Sequence, residues 1–349
     1  NASGKTTILA ALDFLRELVL YPEDKKTDTL DFEPFLFDAS TPNESSVLSI
    51  MFFQKGVKYS YKVEFTKNAI VSEELNFHNP RKANVYKRTT NLAQQFTEIA
   101  FGSTVKIDKS FEKTLVANTL WNNTVLGGFL KTNINFKELQ SVVDWFGNYL
   151  SPIINTNTVL EGYVTSKLKK GEIKKDNLLD ILKKADFHIS DIKLFEEEKE
   201  LPDFVFEILK KQVEETNDKT GVIDIQKKRK FDNLKFEHTV NQSTYPLPFE
   251  LESSGTKRYY GFAGLLTQLI NEPSIVSIDE LESSLHPDLY EHFLISYLMN
   301  SKESQVIAST HYRDILNNKS IFRNDAIWFT EKDENSATEL YSLADFDSS

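Results

Sequence analysis

The chain opens on Asn1-Ala2-Ser3-Gly4-Lys5-Thr6-Thr7, the second half of the phosphate-loop pattern G-x-x-x-x-G-K-[ST]. The leading glycine of that pattern and one more residue would precede residue 1, so a first sheet strand is expected upstream. Small residues at these positions let successive backbone N–H groups turn toward a phosphate and form an anion-binding nest. Lys5 brings a point charge to the β- and γ-oxygens, and Thr6 carries the hydroxyl that such loops place on Mg²⁺. Asn1, Ala2, Ser3, Gly4 and Thr7 complete the candidate phosphate contacts. Ile8, Leu9, Leu12, Leu15 and Leu18 recur every three or four residues, which predicts a helix whose positive end faces the phosphates. A loop feeding such a helix demands an α/β layout. A lone G-K-T is weak, so the weight falls on what lies downstream.

Three downstream segments fit the same chemistry. Ile275 to Ile278 is a short, largely β-branched run after a proline, which suits a buried parallel strand. Its carboxyl end delivers Asp279 and Glu280, where ligands bind in open α/β sheets. Asp279 is placed to support Mg²⁺, and Glu280 to orient the water that attacks a γ-phosphate. About 20 residues earlier, Glu252-Ser253-Ser254-Gly255-Thr256-Lys257-Arg258 opens an apolar helix, with Ser253 or Ser254 as the N-cap. A Ser-Ser-Gly turn on a helix start is a second anion site, and one chain has little use for two unless two copies share a nucleotide. Finally, residues 305–311 form another short strand ending in His311, one helix beyond Asp279. Its imidazole can donate to a phosphate oxygen and position Glu280.

With these elements in order, the chain resembles the ABC-class ATPases. Gly4-Lys5-Thr6 matches Walker A, Glu252 to Thr256 the signature, Ile278-Asp279-Glu280 Walker B, Ser283-Ser284-Leu285-His286 the D-loop, and His311 the switch histidine. The likeness is nearest to the OLD-like "AAA family ATPase" branch, found in bacterial anti-phage and abortive-infection systems and similar to the ATPase subunits of PARIS systems. That resemblance implies ATP and Mg²⁺ as ligands, with Thr6 and Asp279 at the metal and Lys5, Glu280 and His311 as catalytic residues. Ser253, Ser254, Gly255 and Thr256 would complete the nucleotide site from a second copy. It further implies a homo-oligomer, ATP hydrolysis in the cytoplasm, and control of a separate effector such as a TOPRIM-like nuclease. Only 38 residues follow His311, so any nuclease is expected on another polypeptide. The chain departs from the family pattern at the signature, which has Thr256 where transporters carry Gln or Glu after Gly. His286 stands where their D-loop has Asp. No glutamine is placed for a Q-loop; Gln54 falls on a hairpin strand.

The expected fold is an α/β P-loop core of the ABC type with an antiparallel β-lobe and an inserted helical subdomain. Residues 1–30 and 236–349 form the core, 31–135 the β-lobe and 136–235 the helical insertion. The lobe is carried by Ser49 to Phe53, a Lys55-Gly56 turn, and Tyr59 to Phe65 alternating by twos. From 136 to about 211 the texture is helical and charged, with Leu139, Val142, Val143, Phe146 and Leu150 on one face. No sustained heptads appear, so a long coiled coil is not encoded.

Bulk properties narrow the function further. The 349 residues carry 41 basic and 52 acidic side chains, a net charge of −11, against indiscriminate nucleic-acid binding. Lysines nevertheless cluster at 167, 169, 170, 174, 175, 183 and 184, and Lys227-Lys228-Arg229-Lys230 forms a second basic run, which allows a local nucleic-acid contact or a solvated charged surface. With no cysteine there is neither a disulfide framework nor a thiolate metal site. No apolar run approaches the roughly 18 residues of a membrane span.

Overall fold

The computed structural model describes residues 3–185, 188–208, 228–283, 285–313 and 321–346. Asn1 and Ala2 of the loop, Lys227 of the basic run and Ser284 of the D-loop lie outside the described residues. The chain divides into two compact units, Asn1–Thr156 with Pro273–Leu281 and Glu303–Ser349, and Asn157–Glu272 with Glu282–Lys302.

In the first unit, α1 (Lys5–Leu20) starts on Gly4, whose φ of 89° is left-handed, a conformation glycine adopts without strain. Leu9, Leu15, Leu18 and Val19 bury its inner face, while Ile8 stays 36% exposed. Arg16 is also buried, its Nε donating to the Leu150 carbonyl (2.9 Å).

The β-lobe follows as a meander of β1 (Ser46–Gln54), β2 (Val57–Phe65), β3 (Ile70–His78), β4 (Lys82–Asn91) and β5 (Phe96–Phe101). Each strand pairs antiparallel with the next, giving one five-stranded sheet. Lys55 and Gly56 both take positive φ (50° and 77°), the two-residue turn whose twist matches the flanking strands. Tyr59, Tyr61, Val63 and Phe65 alternate inward and are buried. Helices α2 (Lys109–Asn118), α3 (Val125–Leu130) and α4 (Lys137–Asn148) complete the same core. Trp145 of α4 stacks on Phe52 with ring centroids 4.0 Å apart.

Two charges sit inside this lobe. Glu73 accepts from Tyr61 (2.9 Å), Tyr86 (2.5 Å) and the Val125 amide (2.8 Å). Arg88 donates to Ile70, Thr97 and Trp121. Burial pushes the Glu73 carboxyl up and brings Arg88 down to about 10. Desolvating both is tolerable because nearly every polar atom finds a partner.

The parallel part of the unit comprises β9 (Ile275–Ile278) and β10 (Gln305–Ala308), in register from Gln305↔Ile275 to Ala308↔Ile278. On the other side of β9 the chain at 150–154 runs parallel, bridging Leu150 to Ile275 and Ile154 to Ile278. Sequence periodicity extends the α4 stripe to Leu150. That residue lies past the helix end, where it joins the sheet. A hairpin of β11 (Trp328–Lys332) and β12 (Thr338–Ser342) closes the unit.

The second unit contains α5 (Leu160–Lys169), α6 (Lys175–Lys184), a sheet ordered β6-β7-β8, α7 (Ser254–Asn271) and α8 (Pro287–Asn300). The strands are β6 (Ile189–Glu200), β7 (Lys228–Val240) and β8 (Ser243–Pro248). Glycines let α5 and α7 approach closely: a Cβ on Gly264 would fall 2.3 Å from Val164, and one on Gly261 2.7 Å from Leu160. The helical texture expected from 136 to 211 therefore gives way to a strand at 189. This strand pairs antiparallel with β7, where Glu198 faces Lys230 and Glu200 faces Lys228, whereas Glu196 faces Asp232. Glu196 is instead neutralised by Lys169 (3.0 Å) and Lys230 (3.1 Å), opposite-charge contacts that neither segment has alone.

Candidate functional site

The first unit brings most of the expected residues to the N-terminus of α1. Thr6 Oγ1 donates to Asp279, 3.0 Å from Oδ2 and 3.1 Å from Oδ1. These residues stand 273 positions apart in the chain. Asp279 is 8% exposed, and its backbone N–H donates to the Ile154 carbonyl (2.8 Å). Glu280 follows with φ of 48°, a left-handed turn at the strand end that is costly for a side-chain-bearing residue. That turn separates the two carboxylates: Asp279 is buried against Thr6, whereas Glu280 keeps its side chain 42% exposed.

His311 lies between Lys5 and Glu280. Its Nδ1 is 3.5 Å from the Lys5 ammonium and its Nε2 3.4 Å from Glu280 Oε1. An ammonium can only donate, so Nδ1 accepts and the Nε2 proton faces the carboxylate. Lys5 Nζ also reaches Ser3 Oγ at 3.5 Å. Around these groups is a cavity of about 540 Å³ whose further lining includes Thr7, Phe35, Phe37, Lys332 and Thr338. Its chemistry suits a polyphosphate, with a helix N-terminus, an ammonium and a left-handed glycine on one wall and carboxylates opposite.

Mg²⁺ fits the donor set. It takes hard oxygens in a tight octahedron, commonly one or two carboxylates with phosphates and waters. The Thr6 hydroxyl and the Asp279 carboxylate supply two such oxygens side by side. Among the described residues no group of three or more Asp, Glu, His or Cys side chains forms an all-protein metal cage.

Ser309, unassigned in the sequence, joins the two acidic residues. Its Oγ donates to Asp279 Oδ1 (2.6 Å) and accepts the Glu280 amide (2.9 Å). The signal for it was available: it follows β10 directly, two residues before His311. Asn155 and Thr156 follow the parallel segment at 150–154 and so leave the sheet beside Asp279. Gln54 ends β1 and is 3% exposed. Thr330 and Thr338 of the last hairpin hold the loop through Ser3 (2.8 and 3.2 Å); no sequence pattern announces them.

The signature residues belong to the second unit. Ser253 is the N-cap of α7, its Oγ accepting the Thr256 amide (3.0 Å). Thr256 is buried, with its hydroxyl 2.7 Å from Ser253 Oγ, whereas Ser253 and Ser254 are exposed. A Cβ on Gly255 would meet nothing nearer than 3.8 Å. His286 caps α8, accepting the Asp288 amide (3.4 Å).

Residues 1–115 and 144–312 match the domain family described as "AAA domain, putative AbiEii toxin, Type IV TA system". The chain belongs to this AAA family. Solved structures similar to this AAA domain include the SMC head bound to the C-winged-helix domain of ScpA, at 13% identity and a TM-score of 0.44, covering 98% of this chain and 88% of that one. The SMC head domain from Thermotoga maritima aligns at 13% identity with a TM-score of 0.37, covering 98% and 87%. No curated protein matches the sequence. The fold is that of an AAA-type P-loop domain, mixed α/β with an antiparallel β-lobe.

Proposed function

We propose that this AAA domain binds ATP with Mg²⁺ in the cavity at α1 and hydrolyses it, using the cycle to control a separate effector in a bacterial anti-phage system of the OLD-like kind. The observation that carries the proposal is the meeting of Thr6 with Asp279 at 3.0 Å, beneath the same helix end that presents Lys5. The α1 amides and Lys5 bind the β- and γ-phosphates. Thr6 and Asp279 hold the metal, which when bound neutralises charge on the phosphate oxygens. Glu280 orients a water for in-line attack and draws its proton, and His311 fixes the Glu280 carboxylate while facing the phosphates.

In this reading the exposed Ser254 and the half-buried Gly255 of a second copy close over the nucleotide, so ATP joins two protomers head to tail and hydrolysis releases them. Such a joint controls an effector because only a ligand with different affinities for open and closed states shifts their balance. The family's association with toxin–antitoxin modules supports a separate effector, a TOPRIM-like nuclease among the candidates, and the proposed setting is the cytoplasm. Among the described residues no helix is long and apolar enough to cross a membrane. Lys167 pairs with Glu172, Lys169 with Asp232 (2.6 Å) and Lys175 with Asp191 (2.8 Å). These internal partners weigh against α5 and α6 gripping a duplex.

Two substitutions test the site. Lys5→Ala abolishes nucleotide binding measured by fluorescent-ATP titration. Glu280→Gln retains binding but lowers phosphate release by about 10²–10⁴-fold, the usual contribution of a general base. Undiminished turnover in the Glu280→Gln protein removes the carboxylate from the mechanism.

A further inference from the structure

The β-lobe carries a second feature, remote in function from the phosphate loop. The five-stranded sheet ends at β5, and among the described residues no backbone group outside the sheet pairs with that strand. Beside it lies a cavity of about 550 Å³, walled by Phe96 and Thr97 of β5 and by one face of α2. Lys109, Lys113 and Val116 of that face lie one helical turn apart in succession, and Lys26 and Trp121 complete the lining. Phe96 is 49% exposed.

We propose that this cavity takes an extended acidic peptide segment, which adds as a further strand along β5 and places carboxylates on Lys109 and Lys113. Three features commit the site to that occupant. The first is charge. None of Lys26, Lys109 and Lys113 has a carboxylate partner among the described residues, and Glu112 is the one acid in the lining. On a chain of net charge −11, this leaves a local positive site that an acidic segment finds by complementarity.

The second feature is spacing. Residues four apart on a helix rise about 6 Å, and alternate residues on a strand about 6.8 Å, so side chains at i and i+2 of an added strand reach Lys109 and Lys113 in turn. The intervening residues of the added strand point to the opposite face of the sheet, away from α2. The third is the strand edge itself, which offers alternating N–H and C=O groups. A peptide backbone satisfies both, whereas a phosphodiester backbone only accepts. The wall is also held in advance. The Trp121 carbonyl accepts from Arg88 (3.0 Å) and from the Ile70 amide (3.0 Å), while its indole N–H donates to the Lys26 carbonyl (2.8 Å). A prepared groove of this kind loses little entropy on binding.

The test is fluorescence anisotropy with a labelled peptide alternating glutamate and valine. The expected result is saturable binding that weakens about tenfold in the Lys109→Glu/Lys113→Glu protein and weakens with added salt. N-methylation of alternate peptide residues, which removes edge hydrogen bonds without touching the protein, abolishes it. Circular dichroism checks the fold of the double variant. If that variant unfolds, Lys109→Gln/Lys113→Gln replaces it, with a smaller loss expected. The inference is overturned if the wild-type protein does not bind the peptide, if the folded variant or the N-methylated peptide binds unchanged, if a lysine–valine peptide binds equally well, or if oligothymidylate displaces the acidic peptide. ATP turnover without peptide is unaffected in the double variant, so failure here leaves the nucleotide site untouched and the reverse also holds.

Discussion

Glu280, with φ of 48°, shares with Ser336 (φ 66°) of the same cavity a left-handed backbone that side-chain-bearing residues disfavour. A left-handed non-glycine residue costs of order 1–3 kcal/mol and persists where the surroundings impose it. Here the Glu280 amide is tied to Ser309 and the Leu281 amide to the Ser309 carbonyl (3.1 Å). Glu280→Gly is therefore expected to raise unfolding stability by about 1 kcal/mol while eliminating turnover, checked by urea denaturation without nucleotide. A loss of stability instead shows that the turn is not strained. A second residue-scale expectation concerns His292, which bonds to the Tyr259 hydroxyl. Burial, with Lys184 nearby as the smaller cause, holds its pKa below the ordinary 6.5. The unfolded chain takes up this proton near pH 6.5 and the folded one only at lower pH, so stability is fully present above 6.5 and declines as pH falls from there. His292→Phe should flatten that decline in thermal unfolding between pH 7 and pH 5. Individual residues were the most legible layer of the sequence: Lys5, Thr6, Asp279, Glu280 and His311 all converge on one cavity. Ser309 escaped notice because a serine at a strand end gains meaning only from the carboxylate beside it.

Elements were legible where one segment carries its own pattern. The Lys55-Gly56 hairpin and the α1 stripe depend on neighbours in sequence, so local periodicity and turn chemistry suffice. The strand β6 depends on β7, some 40 residues on, whose Lys228 and Lys230 face Glu200 and Glu198; read separately, each segment looks like a solvated surface. The α5–α7 crossing is also invisible in sequence, although Gly261 and Gly264 mark it in retrospect. A helical glycine replaced by alanine ordinarily gains about 0.5–1 kcal/mol. At Gly264 the new Cβ would lie 2.3 Å from Val164 Cγ2 and 2.9 Å from its Cβ, which a rotamer change alone cannot relieve. Gly264→Ala is accordingly expected to cost about 1–3 kcal/mol, with Val164→Ala restoring part of the loss in a double-mutant cycle. Additive effects of the two changes would exclude a contact between these positions.

For the whole molecule, the question is whether two copies share each nucleotide. A head-to-tail pair contains two identical composite sites. A Lys5→Ala protein and a Gly255→Asp protein are each expected to be inactive alone. Mixed in equal amounts they should recover about a quarter of wild-type phosphate release, since half of the pairs are mixed and each restores one site of two. No recovery, with both variants folded, means that the signature turn of one copy does not serve the loop of another. In the Glu280→Gln background, mass measurement should show ATP-dependent pairing that Gly255→Asp removes.

The sequence by itself determined the chemistry available to this chain. The phosphate loop, the Asp279-Glu280 pair and His311 are short-range patterns whose residue types have few other uses together, and the apolar runs around them can form only a helix or buried strands. The tertiary structure alone decided which of these groups touch. It brought Thr6 to Asp279, turned Glu280 away from its neighbour, inserted Ser309 between them, and left the outer edge of β5 unpaired beside unneutralised lysines. Those outcomes depend on contacts between residues tens to hundreds of positions apart, which packing and hydrogen bonding select together and no local pattern records.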